Sequence, residues 1–175
     1  EQRWLFALDY PALKPRLATL TMDYQLRAKQ PVTKLYDYIM ASDPDFNDTP
    51  VLRQTLITQA LKLPAGFNPK TAAMMAQWRE ETGSVNGLVQ RALTYFNEEQ
   101  FHYTLNPPLL SQHTVDEFLF STREGFCEHY ASAFTIMMRM AGVPARVVTG
   151  YQGGWFNNIG DYVLVRQSDA HAWSE

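Results

Sequence analysis

The residues in this chain whose types could do covalent chemistry are Cys127, its only cysteine, and His171, in the run DAHAW. A thiol attacks an acyl carbon when it is ionised, when a base lies within hydrogen-bond reach, and usually when a third group fixes the tautomer of that base. The plainer reading of a lone cysteine at the start of a buried helix is a small hydrophobe, since free Cys is among the most buried residue types. Glu128 and His129 argue for more than packing. They suit a sealed core poorly, so this helix end is expected to meet solvent or a cleft, where they either line a site or are simply solvated.

The stretch GFCEHYASAFTIMMRMAG must position the thiol. Tyr130, Ala131, Phe134, Met138 and Ala141 share one side of a 3.6-residue helix, and Ile136, Met137 and Met140 make much of the rest apolar, so a buried helix is predicted. Gly142 suits the residue just past its end, with Pro144 beyond. Gly125 is expected as N-cap, placing Cys127 in the first turn, where unpaired backbone N–H groups and the helix dipole favour a thiolate. Downstream, residues 143–151 and 162–167 read as strands. The intervening Gly153-Gly154, Asn157-Asn158 and Gly160 suggest that these two strands pair as a hairpin, with Gly150, Gly153 and Gly154 serving its turn. His171 then lies on a further extended run.

Composition excludes several classes. An apolar share of 46% and a charged share of 19% are ordinary for a globular chain of 175 residues. A net charge of −3 without a basic block lacks the footprint of a nucleic-acid binder. One cysteine excludes an intrachain disulfide and a cysteine-based zinc cluster, and no HExxH spacing offers a metal site, so neither metal nor cofactor is expected. No apolar run is long enough to span a bilayer, and Glu1-Gln2-Arg3 does not open a signal peptide.

Residues 1–50 are expected to form an N-terminal β unit, incomplete at its start. Residues 4–8 read as a buried strand; Ala18, Leu20 and Met22 alternate with threonines; Tyr36, Tyr38 and Met40 repeat that period; Pro11, Pro15 and Pro31 punctuate these runs. SDPDFNDTP, residues 42–50, is the expected linker. Residues 51–175 then turn helical. Asn68-Pro69 marks a start and Gly83 a stop, and Ser84 caps a helix whose one face carries Val85, Leu88, Val89, Ala92, Leu93 and Phe96. Phe101-His102-Tyr103 reads as briefly extended, and residues 115–120 as a short amphipathic turn or helix. His102 and His113 read as surface histidines.

GFCEHYASAF, MAGVPARVVTGYQGG and YVLVRQSDAHAW resemble the core of the bacterial transglutaminase-like superfamily, nearest its membrane-anchored protein-glutamine γ-glutamyltransferases. QRWLFALDYP, LKLPAGFNPKT and DEFLFSTREGFC carry the likeness over most of the chain. The resemblance implies an α+β fold: a papain-like core of helices on an antiparallel sheet, preceded by a small β domain. It implies Cys127 as nucleophile, His171 as general base, and a periplasmic domain of an inner-membrane parent.

The family's third residue, an Asp on the strand after the histidine, falls beyond Glu175. The core is thus expected to be truncated after the catalytic His and impaired in turnover, with Asp161 and Asp169 the nearest stand-ins. Trp155 and Trp173 either flank the cleft or pack as ordinary aromatics. Three functions fit. One is transfer of a protein glutamine's acyl group to a lysine or other amine through a thioester, with proteins or peptides as partners. Another is a cysteine peptidase or amidase using the same dyad. The last is a non-catalytic interaction module.

Overall fold

The computed structural model describes residues 2–8, 10–21, 24–45 and 54–175. The chain divides into two compact units, Glu1–Val51 and Leu52–Glu175.

In the first unit, β1 (Trp4–Leu5), β2 (Tyr10–Leu13), β3 (Ala18–Leu20), β4 (Leu26–Ala28) and β5 (Ala41–Asp43) are all short. They form an antiparallel sheet in the order β1-β4-β3 and a separate antiparallel pair, β2-β5. Ala18, Leu26 and Ala28 are among the buried apolar residues described in this unit. Several details differ from the sequence expectation. The first strand stops at Leu5, leaving Phe6 and Leu8 exposed. Pro11 lies within β2, where the register shifts; a bulge tolerates a residue without an N–H. The alternating residues 36–40 are not a strand, and Tyr38 instead donates its hydroxyl proton to the Phe6 carbonyl. Met22 and residues 46–53, including most of the expected linker, lie outside the described residues.

The second unit opens with α1 (Gln54–Ala60), α2 (Pro69–Thr82) and α3 (Val85–Glu98). Ser84 caps α3 as expected, accepting from the Gly87 N–H at 3.1 Å. Of the predicted face of α3, Leu88 and Ala92 are buried, whereas Val85 and Leu93 are about half exposed. Then follow β6 (His102–Tyr103) and α4 (Thr114–Glu117), which runs into a π-helical turn, Phe118–Thr122, before β7 (Glu124–Gly125). The π turn closes with the Arg123 N–H on the Phe118 carbonyl, five residues back, at 3.0 Å. Helix α5 (Cys127–Met140) leads to β8 (Val147–Tyr151), β9 (Trp155–Asn157), β10 (Tyr162–Leu164) and β11 (Ala170–Ser174). The core lies where α2, α3 and α4 meet α5. There Met75, Phe118, Leu119 and Met137 are at most 1% exposed, and no water reaches them.

The expected hairpin between the two downstream strands is not formed. β8 pairs with β11, while β10 pairs with β9 to make a smaller hairpin inserted between them. Local turn signals identified a hairpin correctly but gave it the wrong partner, because pairing is decided by the non-local fit of whole strands.

Candidate active site

Helix α5 begins at Cys127, the first helical residue, with Phe126 extended before it. Phe126 therefore takes the N-cap position that sequence gave to Gly125. Gly125 is held instead in β7, its carbonyl accepting from the Thr104 N–H at 2.9 Å. Phe126 has no polar side chain, and its N–H finds His129 Nδ1 at 3.4 Å. The far end follows the expectation closely. Gly142, at φ 79°, donates to the Arg139 carbonyl, and Val143 to that of Met138, the bond pattern of a Schellman stop.

From Met140 the chain turns within six residues and β8 returns along the helix, against which it packs. β11 is antiparallel to β8, so it runs in the same direction as α5. Two contacts fix the level. Thr135 and Ser174 share a hydroxyl hydrogen bond of 2.8 Å, and Arg139 Nε donates to the Ala145 carbonyl at 2.7 Å, beside the Arg146–Glu175 backbone pair. Eight helical residues back from Thr135 to Cys127 span ~12 Å. Three strand residues back from Ser174 to His171 span ~10 Å. The thiol and the imidazole therefore stand at the same end of the helix–sheet layer. Both are half-buried. Among the described residues no hydrogen bond joins them.

The pleat puts His171 and Trp173 on one face of β11, and Ala172 and Ser174 on the face that meets α5. His171 is directly opposite Gly150. Gly150 is thus not a turn residue, contrary to expectation. A Cβ there would stand 2.9 Å from the far edge of the Trp173 ring, which lies over it. Trp173 Nε1 in turn donates to Glu175 at 3.0 Å, and Arg146 pairs with the same carboxylate at 2.8 Å. Burial opposes the charge on Glu175, yet Arg146 and Trp173 hold its carboxyl below the usual range. Sequence offered Trp173 as either cleft or core. Its position is beside the imidazole, braced by that network.

The other candidates separate cleanly. Asp169 accepts from its own neighbour, the Arg166 N–H, at 2.7 Å, and Asp161 is an exposed turn residue at φ 52°; neither is bonded to His171. Trp155 is exposed on β9. His102 is exposed, but His113 is half-buried, and its Nδ1 accepts from the Asn68 N–H at 3.0 Å. Glu128 is exposed, and with His129 it lines a cavity of about 230 Å³ beside the helix start. An adjoining cavity of about 610 Å³ is lined by residues of the 105–110 loop, Phe126 and His129. Tyr103, which sequence reasoning missed, accepts a hydrogen bond from the Cys127 N–H at its hydroxyl, at 3.4 Å. No local signal marks it, because it reaches the site through the parallel pairing of β6 with β7.

A thiol at a helix start and an imidazole at the same end of the adjoining strand pair are the residues on which a cysteine-dependent site could draw. The chain belongs to the transglutaminase-like superfamily, whose family profile matches residues 76–175. It is 43% identical, over 99% of its length, to a protein-glutamine gamma-glutamyltransferase of Pseudomonas aeruginosa, covering 26% of that protein. It is 27% identical, over 69% of its length, to the uncharacterized protein YebA of Bacillus subtilis, covering 17% of it. The crystal structure of the periplasmic domain of TgpA from P. aeruginosa superposes with a TM-score of 0.90 at 41% identity, over 99% of this chain and 60% of that one. The α+β, transglutaminase-like fold read from the sequence is the fold observed.

Proposed function

We propose that the protein acts as an acyltransferase on protein glutamine, with Cys127 as nucleophile and His171 as general base and acid. The Cys127 sulfur forms a bond to the side-chain carboxamide carbon. The C–N bond then breaks, and ammonia leaves with a proton delivered by His171. A lysine or other primary amine gives its proton to His171 and attacks the thioester, releasing the thiolate and leaving an isopeptide bond. The observation that carries this reading is the common direction of α5 and β11, which sets both residues at one end of the layer. The pleat turns the His171 side chain to the face of β11 opposite Ser174, so the meeting of imidazole and thiol is itself part of the proposal. The printed name of the 43%-identical relative supports the choice of donor and acceptor.

The chain spans about a quarter of the length of that relative. Action in the periplasm, on a membrane-anchored parent, is part of the same proposal and is supported by the matched periplasmic domain. The described residues contain no helix long and apolar enough to cross a membrane.

The test offers a glutamine-containing protein and a labelled primary amine, and follows products by mass spectrometry. Amine incorporation that disappears in Cys127→Ala and His171→Ala is the expected result. Deamidation or backbone cleavage with no incorporation at high amine concentration would reassign the protein as a hydrolase.

A further inference from the structure

Attack on a carbonyl carbon pushes the C=O electron pair onto oxygen, and that oxyanion needs donors fixed in advance. The N–H of Cys127 is one, since a residue at the first helical position has no intrahelical acceptor. In this structure the Cys127 N–H is directed at the Tyr103 hydroxyl oxygen, 3.4 Å away. That hydroxyl accepts in this contact and keeps its own proton to donate. We propose that Tyr103 is a catalytic residue, its O–H completing with the Cys127 N–H the site that holds the oxyanion. This inference rests on the reading of Cys127 as the nucleophile.

The placement is built rather than incidental. Tyr103 is fixed by its pairing with Gly125 in β7, two residues before Cys127. Its ring stacks on Tyr130, in the first turn of α5, with centroids 6.2 Å apart and planes within 17°. The residue is nevertheless 62% exposed, so a substrate can reach the hydroxyl. Across a donor separation of 3.4 Å, an oxygen can lie about 2.9 Å from both, within the range that oxyanion donors use. The long N–H···O contact is then exchanged for two shorter ones as negative charge develops. Binding of the neutral carbonyl gains less from this exchange than the tetrahedral intermediate does, so the effect belongs to turnover.

Two reactions of the same thiol separate this role from a structural one. Acylation by p-nitrophenyl acetate forms the S–C bond through an oxyanion and expels nitrophenolate. Alkylation by iodoacetamide displaces iodide and forms no oxyanion. Tyr103→Phe keeps the ring stacked on Tyr130 and removes only the hydroxyl. It is expected to slow acylation of Cys127 by roughly ten- to a hundredfold while alkylation stays within about twofold. An unchanged ratio of acylation to alkylation rates, whether both fall or neither does, would overturn the proposal. Neither reagent is a glutamine donor, so this outcome is independent of whether amine incorporation is observed.

Discussion

Asn68 and Asp116 cap each other's helices. The Asn68 side-chain oxygen accepts from the N–H groups of Val115 and Asp116 at 3.0 and 3.2 Å, at the start of α4. The Asp116 carboxylate accepts from the N–H groups of Lys70 and Thr71 at 2.9 and 2.8 Å, at the start of α2, and from the Thr71 hydroxyl at 2.6 Å. Asn68 sits at φ 53°, in the left-handed region, and makes no cap bond to its own helix. Both residues are buried, at 5% and 6% exposure, so no water could replace these bonds at little cost.

Asp116→Ala is therefore expected to destabilise the Leu52–Glu175 unit by about 3 kcal/mol, since it strands buried donors at a helix start. Burial opposes the charge on Asp116, but the bonds from Thr71 and Lys70 outweigh it and hold the carboxyl below its ordinary value of 3.8. A carboxyl depressed in the folded state contributes stability that is complete above the unfolded pKa and is lost as pH falls through the folded one. Urea denaturation should show the wild type losing stability below about pH 4, with this part of the acid limb flattened in Asp116→Asn. Parallel acid limbs in the two proteins would refute the assignment.

A methyl group at position 150 would meet the Trp173 ring, so Gly150→Ala must displace the ring that lies beside His171. The expected cost is about 1–2 kcal/mol in stability, together with a drop in amine incorporation. Trp173→Leu in the same chain removes the obstructing ring edge and should recover most of the lost stability without recovering activity. Additive losses in the double variant, measured by thermal melts, would show that the two positions do not interact.

What the sequence made legible was encoded locally. The Cys127 helix with its Gly142-Pro144 stop, the Asn68-Pro69 start and the Ser84 cap each depend on residues within a few positions of one another. What it concealed depends on distant pairing. The alternation at Tyr36, Tyr38 and Met40 met no partner strand, while three-residue strands such as Leu26–Ala28 exist only because neighbours align beside them. The role of Gly150 became visible only with the β8–β11 register, and that of Tyr103 only with the β6–β7 pair. Asn68 was identified as a helix start, but its side chain turned out to serve a different helix.

Phe118 is 1% exposed and its ring meets those of Phe101 and Tyr130 at centroid distances of 5.4 and 5.1 Å. It stands at the head of the π turn, against the first turn of the Cys127 helix. Phe118→Ala is expected to cost about 3–5 kcal/mol and to loosen the start of α5. Hydrogen exchange at the α5 amides should rise more than at those of α2. Uniform change across both helices would show only a global loss of stability.

The strand partner of His171, Gly150, has no side chain, and Trp173 lies alongside on the same face. Removing the imidazole in His171→Ala should therefore leave an aromatic-walled gap that neighbours cannot readily fill. If His171 moves the protons, its loss should slow turnover by roughly 10²–10⁴-fold, the usual contribution of a general base. Added imidazole should occupy the gap and restore part of the rate, with the restored fraction rising and saturating with imidazole concentration. His171→Leu fills the same space with a side chain that carries no base, so it should lose comparable activity and gain nothing from imidazole. The measurement is amine incorporation against imidazole concentration for both variants. Loss of less than about tenfold in His171→Ala, or equal rescue of the two variants, would remove His171 from the proposed mechanism.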